Sequence, residues 1–160
     1  MSSPLTVDVQ VVCDDKEIPA QADIGAWVEV AIMQSGRVPT GDVEVAVRVV
    51  DADEIRTLNL LYREQDRPTN VLSFPSGEID GLPTDFARPL GDIVICASIV
   101  ASEASDQGKR PGDHWGHLLV HGALHLLGFD HETEAEAASM EALETEILAS
   151  KDVADPYAGP

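Results

Sequence analysis

Apolar and polar residues alternate along Leu5-Thr6-Val7-Asp8-Val9-Gln10-Val11-Val12, and again along Val43-Glu44-Val45-Ala46-Val47-Arg48-Val49-Val50. A period of two is that of a half-buried strand, so these runs predict the first two strands. Between them Ile24, Trp27, Val28, Ala31 and Ile32 recur at helical spacing before Gly36, which predicts an amphipathic helix over about residues 21–34. After the second strand, Asp51 and Glu54 form a D-x-x-E start, a variant of the capping box. Ile55, Leu58, Leu61 and Tyr62 then make the apolar stripe of a second helix ending near Arg63. Asp66-Arg67-Pro68-Thr69-Asn70 reads as a turn into a short strand, Val71-Leu72-Ser73-Phe74.

Residues 75–89 are rich in glycine, proline and acid, and are long for a connection inside a compact domain; a lid, a binding loop and disorder all fit. Gly91-Asp92-Ile93-Val94-Ile95-Cys96 predicts a buried fourth strand, followed by a helix from Ala97 to Gln107 that stops at Gly108. Asp113 is the expected N-cap of the next helix, and a last helix turns Met140, Leu143, Ile147 and Leu148 inward. The order predicts one α+β domain over residues 1–160, with a sheet of about four strands packed on helices. The helix after Asp113 is apolar nearly all round, with Leu118, Leu119, Val120, Leu124, Leu126 and Leu127, so it should be central. There is no internal repeat.

Composition narrows the function classes. The chain of 160 residues is 44% hydrophobic, enough for one core. Its N-terminus, Met1-Ser2-Ser3-Pro4, has neither a basic region nor an apolar run, and no stretch approaches a membrane span, so the cytoplasm is expected and a membrane role is not. Cys13 and Cys96 end apolar strand-like runs and are expected as buried free thiols. The formal charge of −19, with 29 acidic and 10 basic residues, argues against a domain that grips nucleic acid through a broad basic face. Any such binding must be local or assisted. Arg56, Arg63 and Arg67 lie close in sequence, whereas Glu132, Glu134, Glu136, Glu141, Glu144 and Glu146 crowd a region without any lysine or arginine, which reads as a solvated helix face.

The chemistry concentrates at His121-Gly122-Ala123-Leu124-His125-Leu126-Leu127-Gly128-Phe129-Asp130-His131, which holds three of the five histidines. His121 and His125 lie one turn apart on one helix face; Gly128 can end the helix in a left-handed conformation, and His131 returns from the loop with a third nitrogen. His117 shares that face, but it is about 12 Å of axial rise from His125. Such a pair does not meet at a zinc ion bound at about 2.0–2.1 Å. A lone histidine on an apolar helix is usually a core or surface residue; three at this spacing point to a metal. The spacing H-x3-H-x2-G-x2-H is that of metzincin proteases, yet their glutamate after the first histidine is Gly122 here, so this helix carries no general base. Three protein ligands leave zinc an open position for water, the arrangement of catalytic sites.

Four segments carry a family resemblance: Asn59-Leu60-Leu61-Tyr62-Arg63, Asp66 through Pro75, Leu90-Gly91-Asp92-Ile93, and His121 through His131. In these residues and their order the chain resembles the bacterial YbeY endoribonucleases, the rRNA maturation factors. The resemblance implies a zinc-dependent, single-strand-specific endoribonuclease acting in 16S rRNA 3′-end maturation and ribosome quality control. It implies one Zn2+ per chain on His121, His125 and His131, with Arg63 as the catalytically important arginine. It also implies single-stranded rRNA as substrate, and the ribosome, ribosomal proteins and a ribosome-assembly GTPase as partners, without DNA. A hydroxide generated at zinc near neutral pH would attack the phosphodiester or act as base toward the 2′-hydroxyl; the residues leave both routes open. Arg63 would offer phosphate a two-pronged contact. Without the resemblance it reads as a helix-end arginine on the last carbonyls. A zinc peptide hydrolase and a noncatalytic ribosome assembly factor are the alternatives, the first weakened by Gly122 and the second suited to the acidic charge.

Overall fold

The alternating runs become neighbouring parallel strands, β1 (Leu5–Val11) and β2 (Val43–Val50), joined through helix α1 (Gln21–Met33). The chain continues through α2 (Ala52–Arg63), β3 (Val71–Pro75), β4 (Arg88–Cys96), α3 (Ala97–Gln107), α4 (Pro111–Leu126) and α5 (Glu134–Ala149). This computed structural model describes residues 5–15, 17–75 and 88–157, for Arg88 and Pro89 the backbone alone. The predicted element order and the α+β class hold. Most of the 75–89 connection lies outside the described residues; its ends belong to β3 and β4.

The sheet order is β1-β2-β4-β3, with β4 parallel to β2 and antiparallel to β3. β4 starts earlier than the apolar run suggests, because Arg88 and Pro89 pair with Val43 and Glu44 before a bulge shifts the register. Gly91 follows that bulge with φ 153°, and a side-chain carbon there would lie 2.4 Å from the Phe74 carbonyl oxygen and 2.7 Å from Leu126. Only glycine lets β3, β4 and the end of α4 approach so closely.

Strand periodicity decides the two faces. Val43, Val45, Val47, Val49, Ile93 and Ile95 turn to one side, against Ile24, Val28 and Ile32 of α1, Trp115, Leu119 and Leu124 of α4, and Met140, Ile147 and Leu148 of α5. Burying each large aliphatic side chain contributes about 1.5–3 kcal/mol before entropy is charged against it. Helix α4 touches α1, α3, α5, β3 and β4, the central position its composition requires. The other side holds a smaller cluster of Val50, Ile55, Leu72, Phe74, Val94 and Cys96 under α2.

Three local expectations change. Leu61 and Tyr62 do not complete an inward stripe on α2: they are 68% and 48% exposed. The small cluster runs out toward that end of the helix, where buried Asn59 takes over, its amide donating to the Arg67 carbonyl at 2.9 Å. Asp113 is not the N-cap of α4. The helix starts at Pro111 with Arg110 as N-cap, since proline's fixed φ suits the first helical position and its missing N–H is not needed there. Cys96 is buried and Cys13 only partly so; both are free thiols. Asp51 does cap α2, accepting from the Glu54 N–H at 2.9 Å, and Gly108 closes α3 with φ 65°. No described helix is long and apolar enough to cross a membrane.

Close packing of α4 on α1 rests on Gly116, where a side-chain carbon would come within 2.5 Å of the Trp27 ring, whereas at Gly112 it would meet nothing within 4 Å. Gly116→Ala should therefore lower stability by about 1–3 kcal/mol through overpacking. Gly112→Ala should be neutral or stabilise by up to about 1 kcal/mol through helix propensity. Urea unfolding of both variants checks this, and equal midpoints would show that Trp27 yields without cost.

Candidate metal centre

One turn of α4 sets the His121 and His125 rings 4.5 Å apart, with their Nε2 atoms at 3.0 Å. The third histidine depends on how the helix ends. Gly128, at φ 92°, donates to the His125 carbonyl at 3.0 Å, and the Phe129 N–H turns back to Leu124 O at 3.1 Å. That reversal carries exposed His131 to the same place, its ring centroid 5.7 Å from His121 and 5.1 Å from His125. One nitrogen from each of the three lies within 4.8 Å of the others. Two nitrogens on a tetrahedral zinc stand about 3.3 Å apart, so the cluster fits a metal ion with little adjustment. The donors also fit: three imidazoles suit zinc and neighbouring transition metals.

His117 and His114 are outside that group. His117 Nε2 lies 3.1 Å from the Tyr157 hydroxyl and 3.3 Å from Glu144. Buried His114 pairs with Glu103 at 2.9 Å. Burial depresses the His114 pKa against the upward pull of Glu103.

Glu144 sets the chemical state of His121. Its carboxylate is completely buried, 0% exposed, and accepts from His121 Nδ1 at 2.5 Å. Burial alone would raise its pKa, but hydrogen bonds from His117 and His121, the charge interaction with His121 and the Tyr157 hydroxyl outweigh it and hold the pKa at about 2. An ionised carboxylate only accepts, so His121 donates through Nδ1 and its Nε2 is the atom that faces His125. Burial, followed by the neighbouring His121 and His131, lowers the His125 pKa, which favours the neutral imidazole that binds metals. Tyr157 is pushed upward by burial and by Glu144.

The three histidines and Arg63 line a single cleft of about 770 Å³, with Ser73, Phe129 and Tyr157 among its walls. Arg63 ends α2; its Nη2 donates to Ser73 O at 2.8 Å, its Nη1 to Tyr62 O at 3.1 Å, and its guanidinium carbon lies 4.9 Å from the Phe74 ring centroid. Ser73 in turn donates through Oγ to the Gly122 carbonyl at 3.1 Å. A side-chain carbon at Gly122 would sit 3.1 Å from that Oγ and 3.2 Å from Ile93. The position that holds the metzincin glutamate is thus packed against the sheet and closed to a large side chain.

Glu144 and Tyr157 escape the sequence reading. Glu144 is not part of the solvated acidic face, although its place was legible: it lies one turn from both Met140 and Leu148, on the inward stripe of α5. Tyr157 carries no such signal, standing in an irregular tail beyond the last helix.

A model of the family described as Endoribonuclease YbeY matches residues 10–152. A protein named Endoribonuclease YbeY from Halorhodospira halophila is 53% identical over 139 residues, 87% of this chain and 88% of its own length. One of that name from Alkalilimnicola ehrlichii is 51% identical over 154 residues, 96% of this chain and 91% of its own length. The solution structure of a Thermotoga maritima protein matches with a TM-score of 0.53 at 26% identity, covering 94% of this chain and 99% of that one.

Replacing His121, His125 or His131 singly by Ala should sharply lower zinc occupancy, because each removes one of three nitrogens that converge. His114→Ala and His117→Ala should leave most of it. Metal analysis of the purified variants decides: a site emptied by His117→Ala and kept by His131→Ala would reverse the ligand assignment.

Proposed function

The chain belongs to the YbeY endoribonuclease family, and we propose that it is a zinc-dependent endoribonuclease that cuts single-stranded RNA in 16S rRNA 3′-end maturation and ribosome quality control. The observation that carries this reading is the convergence, in one cleft, of three imidazoles with Arg63, the one permanent cation among the described residues lining it. His121, His125 and His131 are the proposed ligands of one zinc ion. A zinc ion held there would supply Lewis acidity and make water a competent nucleophile at neutral pH.

The other parts of the reaction fall to the chain's own groups. Arg63 sits at the exposed end of α2, where its long side chain can turn the guanidinium from the Ser73 and Tyr62 carbonyls toward phosphate oxygens. Its planar fork suits the charge that builds on phosphorus in the transition state. A single strand, whose bases can be splayed out of the stack, is the form in which RNA sequence is read.

The charge of −19 opposes free association with RNA, so binding by the free chain should be weak. Delivery by the ribosome, through ribosomal proteins or an assembly GTPase in the cytoplasm, would offset that repulsion.

Arg63→Ala should leave the fold and the zinc in place, since the core under α2 is built by other residues. Loss of the guanidinium should slow cleavage of a single-stranded RNA at saturating substrate by about 100- to 1000-fold, or about 2.7–4 kcal/mol of barrier. Arg63→Lys should recover only part, because an ammonium lacks the fork. The same preparations, assayed also for zinc content, melting temperature and turnover of a mixed peptide substrate, settle the reading. Wild-type RNA turnover by folded, zinc-loaded Arg63→Ala protein would refute the catalytic role, and cleavage of peptide instead of RNA would refute the substrate class.

A further inference from the structure

We propose that Glu144 and Tyr157 are positioning residues for the metal centre: the tail locks the Glu144 carboxylate against His121, and that carboxylate holds His121 in the tautomer and orientation that binds the metal. The inference rests on the metal reading above and assigns a task to two residues outside the ligand set.

The hydrogen-bond inventory supports it. Glu144 Oε1 accepts from His121 Nδ1 at 2.5 Å, while Oε2 accepts from the Tyr157 hydroxyl and lies 3.3 Å from His117 Nε2. His117 Nδ1 is buried with no partner among the described residues. An unpaired acceptor there costs less than an unpaired N–H, which places the His117 proton on Nε2, facing Glu144 and the Tyr157 oxygen. Three donors from α4 and the tail thus converge on a carboxylate that has no solvent exposure. A buried charge so fully satisfied is held in one geometry, and removing any donor leaves it partly uncompensated.

The geometry gives Tyr157 a reason to be where it is. Its ring stands edge-on to His117, with centroids 5.3 Å apart, and forms part of the cleft wall. The tail is pinned just before it: Asp155 accepts from the Thr145 hydroxyl at 3.2 Å and from the Tyr157 N–H at 2.9 Å, and Lys109 reaches the Pro156 carbonyl at 3.5 Å. The path from tail to metal therefore runs Tyr157, Glu144, His121. Carboxylate partners of this kind fix the ring and raise its basicity as a ligand, and their loss typically weakens metal binding about 10- to 100-fold.

The test is competitive titration of zinc into the full chain against a chromophoric chelator, with melting of the metal-free proteins measured alongside. Glu144→Gln should weaken zinc by about 10- to 100-fold. Tyr157→Phe keeps the ring on His117 and removes only the hydroxyl, so it should fold as wild type and lose about tenfold or less. Because Tyr157 acts through Glu144, the double variant should bind no more weakly than Glu144→Gln alone. Should Glu144→Gln fail to fold, Tyr157→Phe still decides. Single variants that bind zinc as tightly as wild type would overturn the inference whatever their melting temperatures, and fully additive losses would overturn the relay. A wild-type chain that takes up no zinc would overturn the metal reading, and this inference with it.

Discussion

Helix α4 has to be packed on nearly every side and still present two imidazoles to a cleft, and the rest of the structure follows from that constraint. Its leucines and Trp115 are buried against α1, α5 and the sheet. Close approach is bought by glycines, Gly116 under Trp27 and Gly122 under Ser73 and Ile93. What stays unpacked is the strip holding His121 and His125. A helix locked on so many sides holds its side chains to the small tolerances that a metal site needs.

The same packing explains the departure from protease chemistry. A side chain directly after His121 would begin 3.1 Å from Ser73 Oγ and 3.2 Å from Ile93, so glycine there lets α4 lie close to the sheet. The carboxylate closest in chemistry to the site, Glu144, is committed to His117, His121 and Tyr157 and shielded from solvent. It can orient a ligand, but at 0% exposure it is shut off from a substrate in the cleft. Arg63 stands differently, at an exposed helix end on backbone carbonyls.

The surface charge and the site act at different ranges. Most of the acidic residues of α5 face water, where salt screens them within about 8–10 Å. Inside the cleft the near neighbours dominate: burial and the flanking imidazoles lower the His125 pKa, and the Glu144 carboxylate accepts from His121 Nδ1.

Much of this was legible in one dimension. Alternating valines, the helical recurrence of Ile24, Val28 and Ile32, Gly108 and the His121/His125/Gly128/His131 spacing foretell element order, helix ends and the three histidines, because periodicity and left-handed turns are local properties of the chain. The start of α4 and the fate of Leu61 were misjudged because a proline at the first helical position and the extent of a neighbouring cluster outrank local preference. Only the tertiary structure could turn Glu144 from one acid among many into the partner of His121. It alone could bring Tyr157 of the tail and Ser73 of β3 to the cleft that holds Arg63. Those contacts join residues far apart in sequence, and their energy depends on burial, which exists only once the chain has closed around them.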